Sequence, residues 1–187
     1  MTNFVLNNAI LSKLKPYYPV FKFVGIFAGI YVILSLLYYL YTSQDWTGVN
    51  YPDPVTSHVS HQTKELLQLL GYNATIENTA QLPSINLFID GNIVFRVIEG
   101  CNAMSVSILF LAFVLAFAKA WKKTLLFCLF GVLAIYAVNL FRLVLLAVIF
   151  VDHPDYAHTA HDLIFPAIIY GMTVLLWIFW IRKPKNA

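Results

Sequence analysis

Charge is scarce in this chain. Only 11% of its 187 residues are charged, whereas a soluble domain carries about 25%. With 60% hydrophobic residues, that shortage excludes a soluble enzyme on a single anchor and makes the chain an integral membrane protein. Cysteine is scarcer still. Two cysteines with no Cys-x-x-Cys pair exclude a disulfide framework and a zinc knuckle. The basic residues form no patch of the kind nucleic acid requires. The first 18 residues lack a compact apolar core followed by a small-residue cleavage site, so no signal peptide is expected. Neither a repeat of solenoid period nor a low-complexity tract stands out.

Long apolar runs are what the chain has instead. Residues 1–20 read as a cytoplasmic or interfacial N-terminal segment, broken at Pro16. Residues 21–41 are long enough to cross a ~30 Å hydrocarbon layer at 1.5 Å per residue. Residues 42–100 hold the one sizeable polar region. A helix is expected over 55–70, stopped at Gly71. A hairpin follows over 85–98, turned at Asp90-Gly91, where glycine accepts the positive φ the turn needs. Three further spans are expected at 101–118, 124–151 and 161–181, with a loop over 152–160 and a cytoplasmic tail at 182–187. The expected fold is thus membrane α-helical: about four transmembrane helices, with a small extracytoplasmic α/β cap (a helix plus a β-hairpin) between spans one and two.

On that map the charges separate. Lys13, Lys15, Lys22, Lys119, Lys122, Lys123, Arg182, Lys183 and Lys185, nine of the twelve basic residues, fall on one side. All nine acidic residues fall on the other, where only Lys64 and Arg96 are basic. The positive-inside rule then expects both termini in the cytoplasm and the cap outside. The remaining cation, Arg142, lies inside the third span. An intramembrane charge is costly and normally faces a cavity or a partner. Tyr136, Asn139 and Arg142 are spaced by three and share a helical face.

Three spans therefore bring chemistry to one outer layer. Cys101 opens the second span, Arg142 lies in the outer half of the third, and His161 opens the fourth. A thiolate is a strong nucleophile toward a carbonyl and is favoured at a helix N-terminus. An imidazole takes and returns the proton, and a guanidinium keeps its charge to hold an oxyanion. If Thr159 caps the fourth span with Asp162 three residues on, His161 falls in the first turn. Glu99, Asn102, Asn139 and Tyr136 are the expected substrate-binding or supporting residues. Taken singly, each residue has a plainer reading: Cys101 as a small buried side chain, Arg142 as a clamp on helix carbonyls, His161 as an interfacial cap. It is their convergence that favours chemistry. Other groupings are weaker. His58, His61 and Glu65 share a face without the His-Glu-x-x-His spacing, and no metal is expected. His153 and His158 flank the 152–160 loop, and His158 is the reserve for the imidazole role. Cys128 lies near the inner end of its span, roughly 20 Å along the helix from Arg142, and reads as packing.

The segments Glu99-Gly100-Cys101-Asn102-Ala103, Asn139-Leu140-Phe141-Arg142 and His161-Asp162, followed by Phe165-Pro166 and Tyr170-Gly171, resemble the exosortase/archaeosortase family. They look most like the short exosortase F type of Bacteroidetes. The resemblance implies a membrane cysteine transpeptidase or protease with Cys101, Arg142 and His161 as its catalytic residues and no cofactor. It implies partners too: exported proteins with a C-terminal sorting helix and basic tail, cleaved through a thioester, beside the membrane lipid of a bacterial inner membrane. Two departures stand out: many members have about eight spans, and Ser or Thr often stands where this chain has Asn102. Two other functions fit the residues, a non-enzymatic assembly factor for an export system and a thiol acyltransferase using lipid donors.

Overall fold

A computed structural model describes residues 15–48, 51–79 and 82–182. Lys13, Lys183 and Lys185, counted above for topology, lie outside the described residues. In chain order the elements are α1 (Tyr18–Thr42), α2 (Pro54–Leu69), strands β1 (Ala74–Asn78), β2 (Ser84–Ile89) and β3 (Asn92–Ile98), a 3-10 turn (Glu99–Cys101), α3 (Met104–Ala116), α4 (Trp121–Asp152), α5 (Pro154–Thr159), a π-turn (Ala160–Ile164) and α6 (Phe165–Arg182). Three helical stretches are long and apolar enough to cross a membrane: α1, α4 and the continuous run Pro154–Arg182. The protein is mostly helical and membrane-embedded.

The second expected span, 101–118, is shortened. Its helix α3 has only 13 residues, Met104–Ala116, about 20 Å at the helical rise and short of a ~30 Å layer. The cause is at its start: Glu99–Cys101 wind as a 3-10 turn, and Ala103 takes a left-handed φ of 62°. Yet α3 joins the same two ends as the long helices. At one end Trp180 Nε1 donates to the Phe117 carbonyl (3.2 Å), and Lys119 Nζ donates to the Trp180 carbonyl (2.7 Å). Phe23, near the start of α1, stacks on Phe117 at that same end, with ring centroids 4.3 Å apart. At the other end the Tyr38 hydroxyl reaches the Glu99 carbonyl (3.3 Å). The expected 152–160 loop is also corrected. Only His153 interrupts the helices; Pro154, which needs no N–H partner, opens α5 directly. Thr159 is therefore inside a continuous helix and caps nothing.

The polar unit between α1 and α3 is larger than a helix plus hairpin. Its sheet has three antiparallel strands in the order β1-β2-β3. Asp90 (φ 51°) and Gly91 (φ 78°) make the tight turn between β2 and β3. Helix α2 starts at Asp53, whose Oδ1 accepts from the amides of Val55 (2.9 Å) and Thr56 (3.0 Å), with Pro54 at the first helical position. It lies along the upper half of α4. Gln62 meets Tyr136, Leu67 joins a cluster with Val144 and Ala147, and beyond the helix Tyr72 donates to Asp152 (2.8 Å). Its buried face carries small hydroxyls. Ser60 and Thr63 return theirs to the carbonyls of Thr56 and Val59 (2.8 Å each), so neither needs water.

Helices in lipid gain nothing from hiding apolar surface from other apolar surface, so close packing carries their association. Gly131 of α4 is where this shows. A Cβ built there falls 2.0 Å from the Phe110 ring, which is fully buried in α3. Gly131→Ala is expected to destabilise the fold by roughly 1–3 kcal/mol through overpacking. Thermal unfolding of the purified full chain in detergent reads it, and an unchanged midpoint would contradict this contact.

Candidate active site

The turn that carries Cys101 is bolted to three helices. Asn102 is its centre, 2% exposed. Its Nδ2 donates to the Tyr38 hydroxyl (2.8 Å) on α1 and to Thr56 Oγ1 (3.0 Å) on α2, and its Oδ1 accepts from the Met104 amide (3.0 Å). The amide orientation is set by these partners: oxygens face the NH2 group and an N–H faces the oxygen. Tyr38 passes its own proton to the Glu99 carbonyl (3.3 Å). Helix α4 supplies the third bolt, for Asn139 Nδ2 donates to the Cys101 carbonyl (2.8 Å). Holding Ala103 at positive φ costs of order 1 kcal/mol, and the network around it sustains that conformation.

Cys101 is half-buried and its thiol is free. It lies three residues ahead of α3, not in its first turn, so the helix-dipole expectation for a thiolate has no direct footing. The stripe on α4 does face inward. Tyr136 donates to Gln62 Oε1 (2.5 Å), Asn139 holds the Cys101 carbonyl, and one turn on the Nε of Arg142 is buried. Among the described residues that Nε has no hydrogen-bond partner, nor has the Asn139 Oδ1 one turn earlier on α4. Buried donors without partners are rare and ask for a reason.

His161 sits in the π-turn between α5 and α6, mid-helix rather than at a helix start. Its Nδ1 is 2.7 Å from Asp162 Oδ1, and 48% of its side chain is exposed. A carboxylate at Nδ1 keeps the proton on that nitrogen and leaves Nε2 free to accept one. The neighbouring Ala160 and Phe165 pack against Leu146, one turn beyond Arg142 on α4. The structure thus ties Cys101 to the Arg142 face of α4 and packs the His161 helix on the next turn. No hydrogen bond joins the three side chains to one another among the described residues. His158 is exposed on α5. Cys128 is buried in the cluster of Phe110, Phe127 and Trp180. His61 is engaged by the Ser57 carbonyl of its own helix (2.9 Å).

Sequence reading missed Tyr38, Thr56 and Asp53. Tyr38 looked like an interfacial aromatic, and Thr56 has no signal of its own. Asp53-Pro54 is a legible cap, but nothing in the chain says that Asp53 is fully buried, with Tyr41 donating to it (3.2 Å). Asp53 also acts on Glu99. Burial first, and then the Asp53 charge, push the Glu99 carboxyl above its ordinary value. An acid raised in this way contributes stability at pH below the ordinary carboxylate range and loses it as pH rises through the raised value. Unfolding midpoints across that window are expected to fall with pH in the native chain and to stay flatter in Glu99→Gln. Matching slopes would contradict this environment.

A family model described as transmembrane exosortase matches residues 20–181, a stretch that includes every element of the site. No curated protein and no solved structure matches the chain.

Proposed function

The chain belongs to the transmembrane exosortase family, and from that membership we propose that it is a membrane cysteine transpeptidase acting through Cys101. The observation that carries this reading is the Asn139 bond to the Cys101 carbonyl, which sets the thiol loop against the helix face bearing a buried Arg142 nitrogen with no partner among the described residues.

In this mechanism the His161 Nε2 takes the thiol proton, with Asp162 fixing the ring from the other side. The sulfur attacks the scissile carbonyl, and the Arg142 guanidinium holds the oxyanion that forms. Collapse expels the amine, which leaves with the proton from His161, and the substrate remains as a thioester on Cys101. An acceptor nucleophile then attacks the thioester and releases the thiol. Glu99, Asn102, Asn139 and Tyr136 act as supports, holding the loop and the helix in register. The substrates are exported proteins with a short C-terminal motif, one membrane helix and a basic tail. The distribution of charge supports the orientation: Lys22, Lys119, Lys122, Lys123 and Arg182 cluster toward one end, and every acidic residue lies toward the other. The first end faces the cytoplasm of a bacterium, and the thiol faces outward across the inner membrane, with α3 as the short fourth crossing.

Processing of a co-expressed substrate, followed by its loss of mass, tests the reading. Cys101→Ala is expected to abolish processing. Arg142→Lys keeps the charge but loses the planar fork, and a drop of at least about tenfold is expected. His161→Ala is expected to be as severe as Cys101→Ala, and His158→Ala to be silent. Normal processing by Cys101→Ala would end the proposal.

A further inference from the structure

A groove of about 400 Å³ runs up to the residue before the thiol. It is lined by Leu82, Pro83, Ser84, Arg96, Ile98, Glu99 and Gly100. Its floor is one face of the sheet, because Ser84 pairs with Ile98 and Asn86 with Arg96 across β2 and β3, and paired side chains share a face. The opposite face carries Ile85, Leu87 and Val97 into the core. Strand β3 runs without a break into the Glu99–Cys101 turn, so the groove and the thiol are fixed to one rigid stretch of backbone.

From these features we infer that the groove binds the substrate polypeptide itself, as an extended segment carrying an acidic side chain opposite Arg96. This rests on the transpeptidase reading of Cys101. In that reading the substrate's sorting helix lies in lipid, whereas the sheet packs its core face on the last turns of α4, Leu87 and Ile89 against Val144 and Ala147, and turns the groove face away from that helix. The groove therefore takes the part of the substrate on the water side of the scissile bond, the part retained on the sulfur. Leu82 and Ile98 are 51% and 49% exposed, an apolar surface that an extended peptide covers. Arg96 gives the charge selectivity. Its Nε donates to the neutral Asn86 Oδ1 (3.2 Å), and no carboxylate pairs with it among the described residues. The one carboxyl in the groove, Glu99, has its charge disfavoured by burial and by Asp53. Between Arg96 and Cys101 lie two strand steps and one 3-10 turn, about 13 Å, which an extended peptide covers in about four residues.

Peptidyl chloromethyl ketones test this on the full chain in detergent. The warhead alkylates Cys101, and Asp, Lys or Ala is scanned along the peptide. With Asp about four residues from the warhead, alkylation is expected to run about fivefold faster than with Lys there, the size of an exposed ion pair gained and lost. Arg96→Glu is expected to reverse that preference, and Leu82→Asp to slow every peptide. Both residues are on the surface, so iodoacetamide should label Cys101 equally in all three proteins, showing an intact site. An Asp-to-Lys ratio unmoved by Arg96→Glu would overturn the inference. So would a long-chain acyl chloromethyl ketone that outruns every peptide, since the groove would then hold lipid. Neither result touches the processing test of Cys101→Ala, which bears on the transpeptidase reading itself.

Discussion

One side-chain amide holds the thiol loop in place. Asn102 is buried where the apolar helices meet the polar unit, and a donor left stray in a buried place is costly. Its three bonds reach α1, α2 and the start of α3, and they fix where the strand ends and the helix begins. Losing any one would leave a partner orphaned there, which costs about 1–3 kcal/mol. The same constraint explains α2, a polar helix laid against α4 with the buried hydroxyls of Ser60 and Thr63 bonded back to its own backbone.

Against that background of satisfied groups, the exceptions are informative. Among the described residues four buried side-chain atoms lack partners, Asp53 Oδ2, Trp177 Nε1, Asn139 Oδ1 and Arg142 Nε, and the last two lie on one face of α4. A fixed cation kept in such a place favours an arriving anion or a developing negative charge. The Asn139 nitrogen anchors the Cys101 carbonyl, while its buried oxygen has no partner among the described residues. Cys101 is therefore held through its backbone, and its thiol is in no disulfide.

Much of this was legible in the sequence, for physical reasons. Helices in lipid need runs of about twenty apolar residues, and such runs are hard to mistake. Asp90-Gly91 announced its turn because only certain residues accept positive φ. The inward stripe of Tyr136 and Asn139 followed from helical spacing alone. β1 was invisible: Ala74–Asn78 has a single strongly β-favouring apolar residue, and its strand state depends on pairing with β2. The late start of α3 was invisible too, since it rests on bonds from Asn102 to residues 46 and 64 positions away. His161 was misplaced for a related reason. Pro154 restarts the helix early, so Thr159 and Asp162 never meet a helix terminus.

The most direct test of a clamped, reactive sulfur is the chemical identity of what it carries. Full-length chain isolated from membranes that contain its substrate, quenched in acid and examined by mass spectrometry, should show a substrate peptide on Cys101 that hydroxylamine removes. A fatty acyl group on Cys101, a peptide on Cys128 instead, or an unmodified Cys101 under conditions where substrate is being processed would contradict it.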